Sequence, residues 1–392
     1  MKFINKWALA LVPALAVATP ALALAPPGLA DLTQPGSVIV YPKFVNASVP
    51  VLSGNGPATA LVPQTEIEIG VVCPRNAPPG FCTAHQTVNV HFHWVCPAFE
   101  GVDSQICHET DFLVAISLNG KLAFSPTGTP INTNSPPVTP PPCARGYLIG
   151  WVVNNLDQPL KFDGLIGNAV LRGGPVTVGG VLQSTAVSAY SALGIQASEA
   201  EGPPTATANP GGLITLRADG SLPFTGLVNN YTTVTNTQYG DLKFDRATAG
   251  EGGLNGAVEV LSKTAITFLT LDVISGRTND PTWIDLSVYN ESLATVSTTN
   301  PFFERLSSDT VEIICWGQIR LVDLAGGSLT QAIQNTRKGV VIAKATDGGF
   351  NPVTLIGLVE TIEGTTANGL LERKYNFNMS NGQFPITTYY RP

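Results

Sequence analysis

Apolar and polar residues alternate with a period of two through most of the chain. The alternation picks out Ser37–Phe44, Thr65–Val72, Val88–Val95, Phe112–Leu118, Tyr147–Val153 and Leu165–Leu171 in the first half. In the second half it picks out Leu213–Arg217, Ile266–Ile274, Trp283–Tyr289, Val311–Leu321, Val340–Ala345, Val353–Thr361 and Tyr375–Met379. Successive side chains of a strand point to opposite faces, so this period predicts strands rather than helices. Gly, Pro, Asn or Asp fills nearly every gap and supplies the turns. Helical spacing is confined to two short stretches, Ala186–Ala197 and Leu329–Thr336.

The two halves read as variants of one pattern. Gly146 opens GYLIGWVV, with Pro159 and then Leu165-Ile166-Gly167 downstream; Gly339 opens GVVIAKAT, with Pro352 and then Leu355-Ile356-Gly357 at the same spacings. Upstream, TEIEIGVV and VNVHFHWV parallel TAITFLTLDVI and TWIDLSVY. The expected fold is all-β: two tandem, duplicated β-sandwich domains, each closing a core between two sheets, with long Pro/Gly-rich loops. The expected boundaries are a leader over 1–23, an N-terminal sandwich over 24–172, a small-residue crossover over 173–255 and a C-terminal sandwich over 256–392. The proline-rich run from Ser125 to Cys143 is expected to lie extended over the surface, pinned at Cys143.

Composition then sets the compartment. Lys2 and Lys6 precede the apolar stretch Trp7–Val17, and Ala21-Leu22-Ala23 supplies a small-x-small cleavage site, so export with cleavage after Ala23 is expected. No later run approaches the roughly 20 apolar residues of a spanning helix. Charged residues are only 12% of the chain, its formal net charge is -7, and no basic run occurs, which argues against nucleic acid as a partner. Gly and Pro together make 70 of the 392 residues, a turn-rich composition suited to an exported β-protein of the periplasm or cell surface. A protein or a glycan at that surface is the expected partner.

Candidate chemistry is concentrated in one interval. All four histidines, and Cys73, Cys82, Cys96 and Cys107, lie between Cys73 and His108; the other two cysteines are Cys143 and Cys315. An even number of cysteines in an exported chain predicts disulfides. Proximity along the chain favours Cys73 with Cys82 and Cys96 with Cys107, leaving Cys143 for Cys315. On a strand, His91 and His93 share a face about 6.5–7 Å apart, and a Cys96–Cys107 bridge would draw His108 toward them. That predicts a copper or zinc site of His91, His93 and His108, with His85, Glu109 or Asp111 assisting. The competing expectation is ordinary alternation: Val88, Val90, Phe92 and Trp94 inward, with Asn89, His91 and His93 outward.

The HxH pair followed by His108 resembles the first three copper ligands of the copper–zinc superoxide dismutases, which implies a copper site at those residues. The chain departs from that family at the flanking glycines, reading NVHFHWVCP, and it has no later histidine to supply the remaining ligands. More of the chain, through CHETDFLVAISL, GLIGNAVLR and AVSAYSAL, resembles exported bacterial β-proteins of no established activity, which implies a secreted β fold. No GxSxG, phosphate-loop or HExxH pattern is present. The carboxylate pairs Glu66/Glu68, Glu109/Asp111 and Asp241/Asp245 are spaced as solvated strand faces are. Trp151, Trp283, Trp316, Tyr289 and Tyr389-Tyr390 are the aromatics that a sugar platform would use. The expected role is a non-catalytic structural, adhesive or binding protein of the bacterial envelope, needing no cofactor. Metal binding, with redox activity, is the second expectation, and carbohydrate binding or hydrolysis the third.

Overall fold

A computed structural model of the chain describes residues 34–46, 64–74, 87–97, 107–131, 135–153, 157, 160–172, 176–178, 181–183, 187–196, 214–215, 236–243, 260–271, 280–290, 308–320, 338–350, 353–365, 371–376 and 380–381. The expected leader, His85, Cys82, Tyr389-Tyr390 and the helical candidate Leu329–Thr336 lie outside these residues.

Every regular element among the described residues is a strand. The first thirteen are β1 (Val38–Val45), β2 (Gln64–Val71), β3 (Thr87–Cys96), β4 (His108–Ser117), β5 (Lys121–Phe124), β6 (Arg145–Val153), β7 (Leu160–Lys161), β8 (Leu165–Arg172), β9 (Val176–Val178), β10 (Val181–Gln183), β11 (Val187–Ser191), β12 (Leu193–Ile195) and β13 (Ile214–Thr215). The rest are β14 (Thr237–Lys243), β15 (Val260–Leu269), β16 (Thr282–Asn290), β17 (Ser308–Ile313), β18 (Trp316–Arg320), β19 (Lys338–Thr346), β20 (Ile356–Thr365), β21 (Leu371–Asn376) and β22 (Ser380–Asn381).

Four antiparallel sheets carry the fold. The first half forms a five-stranded sheet, β12-β1-β6-β3-β4, and a four-stranded sheet, β11-β8-β2-β5. The second half forms a five-stranded sheet, β17-β16-β19-β14-β22, and a four-stranded sheet, β18-β15-β20-β21. Strand for strand, the two pairs have the same order: β1 stands where β14 does, β2 where β15 does, and so on to β12 and β22, leaving aside the short ribbons β7–β13 and β9–β10.

Where their residues are described, the predicted strands fall on observed ones, with three differences; Leu213–Arg217 and Tyr375–Met379 lie mostly outside the described residues. Ala186–Ala197 is not helical: its described residues form β11 and β12, which close the first two sheets. The interval expected to be a crossover therefore contributes strands to both halves, since β14 belongs to the second. Val311–Leu321 is broken into β17 and β18 at Cys315, which adopts φ 63°, a left-handed conformation unfavourable to a side-chain-bearing residue. The proline-rich run behaves as expected in its described part: Cys143 is bridged, and the Thr139 carbonyl accepts from Trp94 Nε1 at 3.0 Å.

Three apolar layers separate the four sheets. The first, around Ile39, Tyr41, Ile67, Phe92, Trp94 and Phe112, lies between the sheets of the first half. Another, around Ile266, Phe268, Ile284, Leu286, Val341 and Ala343, lies between those of the second half. The third joins the halves: Val38, Val40, Tyr147, Ile149 and Trp151 on the outer face of the first five-stranded sheet meet Leu269, Trp316 and Ile356 of the second four-stranded sheet. The central strands β1 and β6 are thus buried on both faces, which is why VIVYPKFV and YLIGWVV are nearly continuous apolar runs. Gly150 of β6 is dictated by packing, because a Cβ there would lie 2.4 Å from the Phe92 ring. Gly167 is held small in the same way by the Tyr41 hydroxyl, which donates to the Glu68 carbonyl at 2.8 Å.

Polar and covalent links reinforce the third layer. Cys107 is bridged to Cys315 across 208 residues, tying the halves together. Trp316 Nε1 donates to the Pro42 carbonyl at 2.9 Å, and the Arg145 guanidinium lies 5.8 Å from the Trp316 ring. Pro42 has no N–H for the ladder, and the β1–β6 register shifts between Tyr41 and Phe44. This bulge aims Lys43 into the interface, where its ammonium contacts the Glu360 carboxylate of β20.

The expected Cys96–Cys107 and Cys143–Cys315 bridges are replaced by Cys96–Cys143 and Cys107–Cys315. The β3–β4 register explains why. Cys96 is paired with His108, so Cys96 points into the first core while Cys107, one residue earlier, points to the opposite face. Two sulfurs on opposite faces of one sheet cannot meet, however close they are along the chain. Cys73 is also disulfide-bonded, and its expected partner, Cys82, lies outside the described residues.

Candidate functional site

The histidine pair sits on β3, whose alternation is as regular as the sequence predicts. Val88, Val90, Phe92 and Trp94 enter the core, while Asn89, His91 and His93 take the other face. That face is the one that meets the second half, and the histidines lie beside the apolar layer rather than within it. In the adjacent strands, His91 is opposite Leu113 and Trp151, and His93 is opposite Asp111 and Ile149.

The rings form a triangular cluster. His93 lies against both the Trp151 indole and the His91 imidazole, with centroids 4.6 Å away in each case, and His91 is itself 6.0 Å from Trp151. Carboxylates surround this cluster. His91 Nδ1 is 2.8 Å from Asp157 Oδ1, and its Nε2 is 3.3 Å from Asp111 Oδ2. Donating to both at once requires the imidazolium, since neutral imidazole has a single N–H. His93 Nδ1 lies 3.2 Å from Glu109 Oε2, but out of hydrogen-bond alignment, and neither nitrogen of His93 has a hydrogen-bond partner. Desolvation pushes the Asp111 carboxyl up, but its backbone hydrogen bond and the bond from His91 outweigh this and hold it below its ordinary value.

His108 does not join this patch. Paired with Cys96, it continues the alternation of Thr110, Phe112 and Val114 on the inward side, whereas Glu109 and Asp111 face outward beside the histidines. The predicted three-histidine grouping is therefore split between two faces of one sheet, and the expected bridge that would have drawn His108 over is absent. The His91 and His93 rings are nitrogen-rich and close, yet nearly parallel at 21°. An ion bound by imidazole lies in the ring plane, so parallel rings direct their lone pairs side by side rather than toward one point. Among the described residues, no three His, Cys, Asp or Glu side chains are grouped so as to hold a metal ion.

Asp157 was not legible as a member of the patch. Its one local signal is the turn-like run Asn154-Asn155-Leu156-Asp157; Asp157 adopts φ 62°, which Asp tolerates better than most residues. The aromatic candidates divide. Trp151 and Trp316 are 7% and 4% exposed, consumed by the layer between the halves, and so offer no sugar platform. Trp283 is half-buried on β16, and nothing is described of the Tyr289 side chain. A 480 Å³ cavity opens along the first four-stranded sheet, with Glu68, Lys121, Ile166 and Asn168 in its walls and no aromatic residue lining it. Lys121 and Glu68 pair across its rim at 2.6 Å.

No protein-family model matches the chain, and no curated protein matches it either. Fold and site together define an all-β protein with four stacked sheets, disulfide staples and a surface-margin cluster of two histidines and three carboxylates.

Proposed function

We propose that the protein is a non-catalytic structural or binding component of the bacterial envelope, built from two copies of one sandwich. The observation that carries this reading is the fate of the cysteines. No described cysteine is free, and one bridge ties the two halves to each other across the chain. Such bridges persist in an oxidising compartment. They stiffen a body whose chemistry-bearing residues are spent on packing: Trp151 and Trp316 fill the layer between the halves, and His93 is stacked against Trp151. Equal strand order in the two halves, together with the GYLIGWVV and GVVIAKAT motifs, supports descent of both from one unit.

The test is cell fractionation with disulfide mapping and metal analysis of the native protein. The expected result is an exported chain beginning at Leu24, fully oxidised, with no stoichiometric metal. A cytoplasmic chain with free thiols would overturn the envelope reading. Stoichiometric copper or zinc, lost in the His91→Ala/His93→Ala variant, would replace the structural reading with the metal-binding one.

A further inference from the structure

The layer between the two halves holds three polar side chains that packing alone does not require, Lys43 and Glu360 buried and Gln318 half-buried. Lys43 projects from the bulge in β1, and its ammonium is paired with the carboxylate of Glu360 on β20. Their side chains are only 7% and 3% exposed. On the far side of β15, Gln318 of β18 donates from Nε2 to the same Glu360 oxygen at 3.3 Å. The register explains how two strands that are not neighbours meet. Gln318 is opposite Thr267, and Glu360 is opposite Ala265, so two small residues of β15 leave room for the longer side chains to reach over them. Tyr190 holds the bulge in place: it accepts from the Lys43 N–H at 3.1 Å and donates to the Lys43 carbonyl. Leu358 and Trp316, both buried, flank the site.

An amine, a carboxyl group and a carboxamide are thus gathered around one oxygen atom in a water-poor interface. A buried ion pair is costly, because desolvation of both charges offsets much of their attraction. Passing one proton from Lys43 to Glu360 removes both charges and leaves a neutral amine, the nucleophilic form of lysine. The Gln318 carboxamide can act as the acyl donor, with ammonia as its leaving group, and it is already hydrogen-bonded to the acid that would protonate that leaving group.

We propose that Lys43 and Gln318 form a self-catalysed amide cross-link, with Glu360 as the proton shuttle. The neutral Lys43 Nζ attacks Cδ of Gln318. The Nζ–Cδ bond forms, Glu360 transfers its proton to Nε2, the Cδ–Nε2 bond breaks, and ammonia departs. The proton released from Nζ returns to Glu360, which ends as a neutral acid beside the new amide. No oxidant, cofactor or metal enters the balance. The step replaces a buried ion pair with neutral groups, and holding both reactants on one Glu360 oxygen substitutes for part of the entropy of a bimolecular encounter. The product is a second covalent tie between the halves, three residues along the chain from Cys315, and unlike the disulfide it resists reduction.

The test is peptide mapping by mass spectrometry of the full-length protein purified in its native fold, then reduced and digested. The expected result is a branched peptide joining Lys43 to Gln318, lighter than its two parts by one ammonia. Lys43→Met, which removes nucleophile and charge together while keeping the length of the side chain, is expected to give the unbranched Gln318 peptide. Glu360→Gln is expected to leave Lys43 and Gln318 unjoined. Full recovery of separate Lys43 and Gln318 peptides from the wild-type protein overturns the proposal without reference to any variant. A branch to Glu360 with loss of water overturns the assignment of Gln318 as acyl donor. A branched peptide that persists in Glu360→Gln overturns the role of the shuttle.

Discussion

The two five-stranded sheets have one strand order and two different surfaces. In the first, Tyr147, Ile149 and Trp151 of β6 turn outward into the layer that joins the halves. Their counterparts in β19, aligned through Gly146 and Gly339, are Val340, Ile342 and Lys344, and Lys344 is exposed. His91 stands beside Trp151 where Asp285 stands beside Lys344. The four-stranded sheets reverse the contrast. Glu68 and Asn168 lie side by side on the free face of the first, whereas Thr267 and Leu358 occupy the equivalent places of the second, both fully buried. Strand order is therefore indifferent to what a sheet's outer face meets. Inward residues follow the shared architecture, and outward residues follow the neighbour.

That contrast can be broken most severely at the bridge between the halves. The Cys107→Ser/Cys315→Ser variant opens a span of 208 residues. Chain entropy assigns such a closure about 5 kcal/mol, so a large drop in the urea midpoint is expected. An unchanged midpoint would mean that the other ties between the halves suffice without this bridge. Exchanging outward residues comes next. Trp151→Lys places the second half's residue in the first half's buried layer, an unpaired charge expected to cost about 3–5 kcal/mol by thermal denaturation. The reverse exchange, Lys344→Trp, changes stability by no more than about 0.5 kcal/mol, because that face is in solvent. Equal effects from the two exchanges would contradict the difference between the sheets.

A smaller effect is expected where the four-stranded sheets differ. Leu358→Asn installs the first half's residue in the layer and is expected to destabilise by about 2–4 kcal/mol. Asn168→Leu on the free face should be near neutral in the same urea titration. Acid titration provides the smallest and sharpest test of the histidine patch. Asp111 is held below its ordinary 3.8, so the stability it contributes is complete above that pH and is lost as pH falls through the lower folded value. Its side chain is 67% exposed, which keeps the contribution small. Asp111→Asn is expected to lose stability only at pH above that window, with the two proteins converging below it; a constant offset at every pH would mean that His91 does not interact with the carboxylate.

The strands were readable because their signal is local. Val88, Val90, Phe92 and Trp94 alternate with polar neighbours, and a pleated strand with one buried face requires that pattern. The apolar run in Tyr147–Val153 carried a further message, that both faces are covered, but no single strand can say by what. The disulfides were misread for a definable reason. Proximity along the chain favours Cys96 with Cys107, but a register in which Cys96 faces His108 puts the two sulfurs on opposite sides of the sheet. The same parity removed His108 from the histidine pair. Ala186–Ala197 was misread because small residues at helical spacing also suit narrow edge strands, and only pairing with β1 and β8 selected the strand.

By itself, the sequence determined the class of the fold, the position of most strands and the inward placement of Val90, Phe92 and Trp94. Each of these follows from side-chain alternation within a few neighbouring residues. Tertiary structure alone decided the cysteine partners, the separation of His108 from His91 and His93, the recruitment of Asp157, and the meeting of Lys43, Gln318 and Glu360. Those depend on register, on a bulge at Pro42 and on which sheet face lies against which, and they join residues as many as 317 positions apart.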